Sequence, residues 1–143
     1  MNISSRGRYA LRMFIDLAKH KDQGFIALKD IAERQGISKK YLEQIILIIN
    51  HSNALKAYRG TQGGYKLARD PSNYTIAEIL KLTEGSLSSM DLLNDDGSSG
   101  PDKDVVSDVC QELYQKINTY LESITLQDLI ERERTLCGDY YVI

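Results

Sequence analysis

The stretch from residue 28 to residue 47, LKDIAERQGISKKYLEQIIL, constrains the fold more than any other part of the chain. Its apolar residues recur at helical spacing on both sides of Gly36, which predicts two short helices joined by a tight turn. Gly36 supplies the positive φ that such a turn needs, and Ser38 is a typical N-cap for the second helix. Ala32 is small where the two helices must approach each other. This spacing is typical of a helix-turn-helix motif.

The exposed face of the second predicted helix is rich in hydrogen-bonding side chains near its N-terminal end: Lys39, Lys40, Glu43 and Gln44. A recognition helix in a DNA major groove needs such groups to reach base edges while its apolar side rests on its partner helix. The alternative is a pair of ordinary packed helices with a solvated face, and this motif alone does not decide between the two.

The charge of the chain is divided unevenly. Residues 1–70 carry 13 Lys and Arg against 6 Asp and Glu, whereas residues 71–143 carry 5 against 14, so a net charge of -2 conceals a basic half and an acidic half. The basic half contains the helix-turn-helix, which favours a polyanionic partner, double-stranded DNA, over a chance distribution of charge. No signal-like or membrane-spanning run is found, and with two cysteines the chain is predicted to be cytoplasmic, with no membrane partner.

The first helix is predicted to begin after Ser4 or Ser5. Its buried stripe would comprise Ala10, Met13, Phe14 and Leu17. Arg6, Arg8 and Arg12 cluster at its start, where they could anchor DNA phosphates and fix register without reading sequence. The alternative is a solvated first turn.

Two short strands are predicted after the recognition helix, whose end is expected at Asn53 in a left-handed conformation. The strands, 55–59 and 65–67, are joined by Gly60, Thr61, Gln62, Gly63 and Gly64. This hairpin is typical of a wing: Arg59 at its base could reach a minor groove or a phosphate, and the glycines let the backbone approach the duplex. A nucleotide-binding loop is disfavoured, because no Lys-Ser pair and no strand-to-helix transition accompanies the glycines.

The second half begins with a short helix from a capping box at Thr75–Glu78 through Leu82. Residues 1–84 are thus predicted to form a DNA-binding domain, followed by an acidic flexible loop over 85–104 and a dimerisation region over 105–143. A heptad seam in that region is formed by Val106, Cys110, Leu113, Ile117, Tyr120 and Ile124. We expect a homodimer, the alternative being burial of the seam within one chain. Thr125 and Asp128 are then expected to cap a last helix, TLQDLIERER, before the tail TLCGDYYVI.

The motifs ISSRGRYALRMFIDLA, LKDIAERQGISKKYLEQ, YRGTQGGYKLARDPSNYTIAEILKLTEG and ITLQDL resemble the Rrf2 family of bacterial winged-helix transcription regulators. The resemblance covers nearly the whole chain and implies a mainly α, winged helix-turn-helix homodimer whose long helices cross. It implies DNA contacts from Ser38, Lys40, Tyr41, Glu43, Gln44 and Arg59, with Arg6 and Arg8 near phosphates. One departure lies at the end of the recognition helix. There the family usually has a basic residue and a glycine, and this chain has Ile49, Asn50 and Asn53.

A second departure concerns sensing. Cluster-binding members of the family place three cysteines in the loop before the long helix, whereas residues 85–109 contain none. Cys110 and Cys137 are far apart, and with His20 and His51 they do not have the spacing of a ligand set, so no cofactor and no metal are expected. The alternative within the family is an iron–sulfur regulator whose cluster is assembled from both subunits, or a thiol redox sensor that uses Cys137.

The loop and tail resemble instead the cysteine-free branch of the family, which regulates cysteine metabolism through a complex with cysteine synthase. That resemblance implies a partner-binding tail comprising Asp139, Tyr140, Tyr141, Val142 and Ile143, captured through its terminal carboxylate. The alternative is a tail packed on the domain as a final strand or cap. The overall prediction is a repressor acting on a palindromic operator. No nucleophile–base pair, metal set or phosphate loop is found in a fitting context, so the chain is not predicted to be an enzyme. The alternative class is a winged-helix protein-interaction module without DNA binding.

Overall fold

The computed structural model describes residues 3–85 and 105–141, with side chains up to Cys137. Within these residues the chain is mainly helical, with six α-helices and one two-stranded antiparallel sheet, which confirms the predicted winged helix-turn-helix. The elements in chain order are α1 (Ser5–Lys19), α2 (Leu28–Gln35), α3 (Lys39–Ile49), β1 (Leu55–Tyr58), β2 (Gly64–Leu67), α4 (Ile76–Glu84), α5 (Val105–Ser123) and α6 (Leu126–Tyr141). No helix among the described residues is both long and apolar enough to cross a membrane.

Helix α1 lies at the centre of the fold, in contact with α2, α3, α4 and α6. Its predicted apolar stripe is buried: Ala10, Met13, Phe14 and Leu17 are at most 1% exposed. The core continues into Ile31 of α2 and into Leu42, Ile45 and Ile49 of α3. Burial of these side chains holds the helix-turn-helix against α1 and leaves the opposite side of α3 free.

The helix caps form at the residues that the sequence predicts. The Ser4, Ser38 and Thr75 hydroxyls accept from backbone N–H groups three residues on, each at 3.1 Å. Thr125 and Asp128 form a reciprocal capping box before α6. Gly36 ends α2 with φ +63° in the left-handed region, as predicted.

The predicted end of the recognition helix at Asn53 is wrong. Helix α3 ends at Ile49, Asn50 is right-handed, and every positive φ in the described residues belongs to glycine. The Ser52 N–H and hydroxyl both donate to the Ile49 carbonyl, at 2.8 and 2.7 Å. This turn satisfies the helix end without a left-handed residue.

The predicted heptad seam fails at its last position. Helix α5 ends at Ser123, and Ile124 is 7% exposed, packed with Ile76 and Leu80. The Ile76 N–H donates to the Ile124 carbonyl at 2.9 Å, which joins the α5–α6 turn to the start of α4. Ile124 therefore belongs to the core of its own chain, because this turn is bonded to a distant segment.

Helix α6 is longer than predicted. The sequence predicts an end near Arg134, but the helix continues through residues 135–141. Tyr140 and Tyr141 therefore lie on a helix and not on a final strand. Gly138 is a lone interior glycine, whose cost of about 1 kcal/mol a long helix tolerates. Val142, Ile143 and residues 86–104, for which the sequence predicts a flexible loop, lie outside the described residues.

Candidate nucleic-acid interface

The outward face of α3 carries the predicted reading side chains. Lys39, Lys40, Glu43 and Gln44 are all exposed. The Lys39 ammonium lies 4.0 Å from the Glu43 carboxylate, one helical turn away. An exposed pair of this kind contributes little to stability, so both groups are available for other partners. Sequence reasoning missed Leu47 on the same side: it is 68% exposed, and apolar side chains of recognition helices can contact thymine methyl groups.

Tyr41 differs from the other predicted contacts because it is half-buried. Its ring packs edge-to-face on Tyr9 of α1, with ring centroids 5.3 Å apart. The Arg12 guanidinium lies 5.8 Å from the Tyr9 ring centroid. Tyr41 thus joins the recognition helix to α1 through Tyr9, and Arg12 lies over the ring of Tyr9 beside that junction.

The first turn of α1 lies next to the recognition helix. A cleft of about 230 Å³ separates them, lined by Ser4, Ser5, Arg6, Tyr41, Gln44, Ile45 and Ile48. Arg6 and Arg8 are exposed. The structure therefore places Arg6, one of the predicted phosphate-anchoring arginines, beside the predicted reading face, and Arg8 is in the same turn of α1.

The wing is formed as predicted, except that β1 ends one residue earlier, at Tyr58, and β2 begins one residue earlier, at Gly64. Strands β1 and β2 pair with Leu55 opposite Leu67 and Tyr58 opposite Gly64. Arg59, Gly60, Thr61 and Gln62 of the connecting loop are exposed, whereas Gly63 is half-buried. The Gly63 N–H donates to the Gly60 carbonyl at 3.0 Å, and a Cβ on Gly63 would collide with the Tyr58 carbonyl. The conformation of the wing tip thus requires a residue without a side chain at position 63.

Two anchors that sequence reasoning missed fix the wing to the body. The buried Tyr74 hydroxyl donates to the Ala54 carbonyl at 2.5 Å and accepts from the Ala68 and Arg69 N–H groups at 3.0 and 3.1 Å. The two strands are therefore held where they leave the body. On β2, Tyr65 exchanges two backbone hydrogen bonds with Ile26 ahead of α2.

A buried carboxylate fixes α2 to α1. Asp16 is 1% exposed and accepts two hydrogen bonds from the Arg34 guanidinium, at 2.7 and 3.0 Å, and one from Gln35 at 3.0 Å. Burial alone would raise the pKa of Asp16, but the hydrogen bonds from Arg34 and Gln35 and the charges of Arg34 and His20 outweigh it, so the pKa lies below its ordinary value. Asp16 thus remains ionised and sets the position of the helix-turn-helix relative to the core.

The side chains do not fit an iron–sulfur cluster held by one chain. Such clusters are generally held by four cysteine thiolates, and this chain has two cysteines. Cys110 is half-buried on α5, and Cys137 is exposed on α6. In the described ranges, no three His, Cys, Asp or Glu side chains come together as metal ligands.

One face of α5 is not covered by any other part of the described chain. None of its residues is buried, and the seam includes Val106, Leu113 and Tyr120 at 68, 47 and 56% exposure. Cys110 and Ile117 are half-buried between them, and Val109, which the predicted seam omits, is exposed beside Cys110. An apolar stripe of this length on one helix marks an interaction surface.

Comparison with known proteins agrees with the interpretation of this surface as a DNA interface. The family model Rrf2, described as an iron-dependent transcriptional regulator, matches residues 3–132. The HTH-type transcriptional regulator IscR of Xenorhabdus nematophila is 33% identical over 136 residues, which are 95% of this chain and 83% of the relative. The structure of T. potens IscR is 34% identical with a TM-score of 0.76, covering 93% of this chain and 88% of that one. The structure of CymR (YrzC), the global cysteine regulator of B. subtilis, is 31% identical with a TM-score of 0.80, covering 92% and 98%.

Proposed function

This chain belongs to the Rrf2 family of transcriptional regulators, and we propose that it is a repressor that binds a palindromic operator as a homodimer. Like its relatives, it is a DNA-binding regulator and not an enzyme. The observation that carries the proposal is that the reading face of α3, the basic turn of α1 and the exposed wing all lie within residues 3–85. In addition, α5 presents an apolar face that the described residues leave uncovered.

We assign the groups of this interface to two kinds of contact. Ser38, Lys40, Glu43 and Gln44 would read base edges in the major groove from the N-terminal half of α3. Arg6 and Arg8 would neutralise phosphates, and Arg59 with the loop of Gly60, Thr61 and Gln62 would reach the adjacent backbone or minor groove. Tyr41 supports this surface through Tyr9 more than it reads bases.

The dimer is proposed to form through the α5 face of Val106, Cys110, Leu113, Ile117 and Tyr120. A two-fold pairing of this face would bring two recognition helices to two half-sites, which is why the operator is expected to be an inverted repeat. Residues 1–84 would then be the DNA-binding domain, and the segment from 105 the dimerisation region.

A salt titration with single variants tests the docking. Arg59→Ala is expected to weaken DNA binding and to lower the salt slope by about one phosphate contact. Glu43→Ala is expected to relax sequence preference, and Arg134→Ala on exposed α6 is the matched control that should change neither. Unchanged binding and preference in both test variants would refute the docking. DNA affinity that does not fall as the salt concentration rises would favour a protein-interaction module instead.

We also propose that the regulated genes concern cysteine supply, with cysteine synthase as the signalling partner. Similarity to the cysteine regulator CymR and the mismatch with a cluster ligand set support this choice over iron sensing. The test is a titration of cysteine synthase, read from the spectrum of its pyridoxal phosphate, with this chain and with a version lacking Ile143. Binding lost with Ile143 would support the tail of Tyr140, Tyr141, Val142 and Ile143 as the contact. No binding by either version would refute the partnership.

Peroxide treatment tests the alternative that this chain is a thiol redox sensor. If Cys137 is a sensor, oxidation should release DNA from the parent chain and not from Cys137→Ser. We expect the two proteins to release DNA to the same extent under peroxide, which would rule out Cys137 as a thiol sensor.

A further inference from the structure

Glu84, the last residue of α4, bonds to the residue that caps α1, 80 positions earlier in the chain. Its Oε1 atom accepts the Ser4 backbone N–H at 3.2 Å and also accepts the Ser4 hydroxyl. Both residues are half-buried. The end of one helix therefore holds the start of another through a carboxylate.

The contact orients the cap itself. Because the Ser4 hydroxyl donates its proton to Glu84, its lone pairs remain free to accept the Gly7 N–H at 3.1 Å. The packing there is tight, since a Cβ on Gly7 would lie under 3.0 Å from Glu84 Oε1. The first turn of α1 is thus fixed on its inner side by Glu84.

The same turn carries the two basic residues assigned to phosphates, one on each flank of Gly7. Arg6 and Arg8 flank Gly7 in sequence and are both exposed. A helix end without its cap frays, and a frayed turn must be ordered again when DNA binds, which lowers affinity. Glu84 therefore affects the two arginines indirectly, because it keeps the backbone of this turn ordered.

We propose that Glu84 is a positioning residue for DNA binding. It holds the first turn of α1 so that Arg6 and Arg8 are already positioned to contact the phosphate backbone. This inference rests on the proposed DNA docking. The charge of Glu84 alone would repel phosphate, so its positioning role and its charge predict opposite effects when the residue is removed.

The test measures the Kd of a fluorescent duplex selected by the full chain from a random pool. Glu84→Ala should weaken binding about 3- to 10-fold, as expected for the loss of order in one or two side chains and their turn. Glu84→Gln, which keeps an oxygen acceptor for Ser4 and removes the charge, should stay within about twofold of the parent. Ser4→Ala should weaken binding as Glu84→Ala does. It provides the same test if Glu84→Ala does not fold.

The decisive comparison uses the double variant Arg6→Ala/Arg8→Ala. In that background Glu84→Ala should cause no further loss, because the side chains that it positions are gone. Tighter binding by Glu84→Ala, or an undiminished loss in the arginine-free background, would overturn the inference. If Arg59→Ala weakens binding while Arg6→Ala/Arg8→Ala does not, the inference fails and the docking of α3 and the wing stands. If neither weakens binding, the docking itself fails.

Discussion

At the scale of single residues, Asp16 shows how one buried carboxylate can set the position of a recognition motif. It lies in the last turn of the central helix, and all three side-chain donors to it come from Arg34 and Gln35 at the end of α2. The Arg34 side chain is about a third exposed, so solvent screens part of the attraction. The hydrogen bonds from the two α2 side chains, more than the charge alone, join α1 to the helix-turn-helix.

We expect Asp16→Asn to lower the free energy of unfolding at neutral pH by about 1–3 kcal/mol, because an amide cannot accept all the hydrogen bonds that the carboxylate accepts. The folded-state pKa of Asp16 lies below the ordinary value of 3.8, so the ionised group stabilises the fold above that pH. This contribution is lost as the pH falls through the lower, folded-state pKa.

Urea unfolding at several pH values checks this. The stability difference between parent and Asp16→Asn should narrow once the pH falls below about 3.8. Asp22→Asn, an exposed change in the turn after α1, is the control. A difference that stays constant from neutral to acidic pH would contradict the assigned role of the charge.

At the scale of elements, the wing is a two-stranded hairpin, which is marginal by itself and depends on its anchors. Tyr74→Phe removes the hydroxyl that bonds the Ala54 carbonyl and the Ala68 and Arg69 N–H groups. We expect a loss of about 1–3 kcal/mol in the free energy of unfolding, since buried backbone groups lose their partner.

The same variant should lose hydrogen-exchange protection in β1 and β2 before α1 or α3 is affected. Hydrogen exchange followed by mass spectrometry measures this, with Tyr58→Phe as a control, because the exposed Tyr58 lies on the wing and not at its anchor. Uniform loss of protection across the whole chain would mean that Tyr74 supports the core in general and does not anchor the wing.

Local patterns predicted most of these elements. The caps at Ser38, Thr75 and Thr125 and the turn at Gly36 were predictable because each depends on residues within about one helical turn. The hairpin was predictable because its glycines separate two short alternating runs. The exposed face of α3 then followed from helical periodicity alone.

What sequence reasoning missed depends on contacts between distant segments. Ile124 fits the heptad spacing, but its carbonyl bonds to Ile76, 48 positions earlier, and this contact places it in the core. Tyr74 and Glu84 act on residues 20 and 80 positions away. No local pattern marks such partners, so the supports of the candidate interface could be found only in the folded chain.

At the scale of the whole molecule, the proposed dimer would form through α5 in the acidic half and leave the basic half of each chain for DNA. We expect Leu113→Lys to raise the dimer dissociation constant at least about tenfold, because it would bury an unpaired charge in the centre of the α5 face. Sedimentation equilibrium measures the change, with Gln111→Lys on the other side of α5 as the matched control. Equal dissociation constants for parent and Leu113→Lys would contradict the proposed interface.

The central claim is that two copies of this chain read one two-fold DNA site. The most direct measurement is selection of bound duplexes from a randomised DNA pool by the purified chain, followed by the stoichiometry of the selected complex. The account predicts an inverted repeat with half-sites about one helical turn or a small multiple apart, bound by two chains. A pool that shows no enriched sequence, or a single unrepeated site bound by one chain, would contradict it.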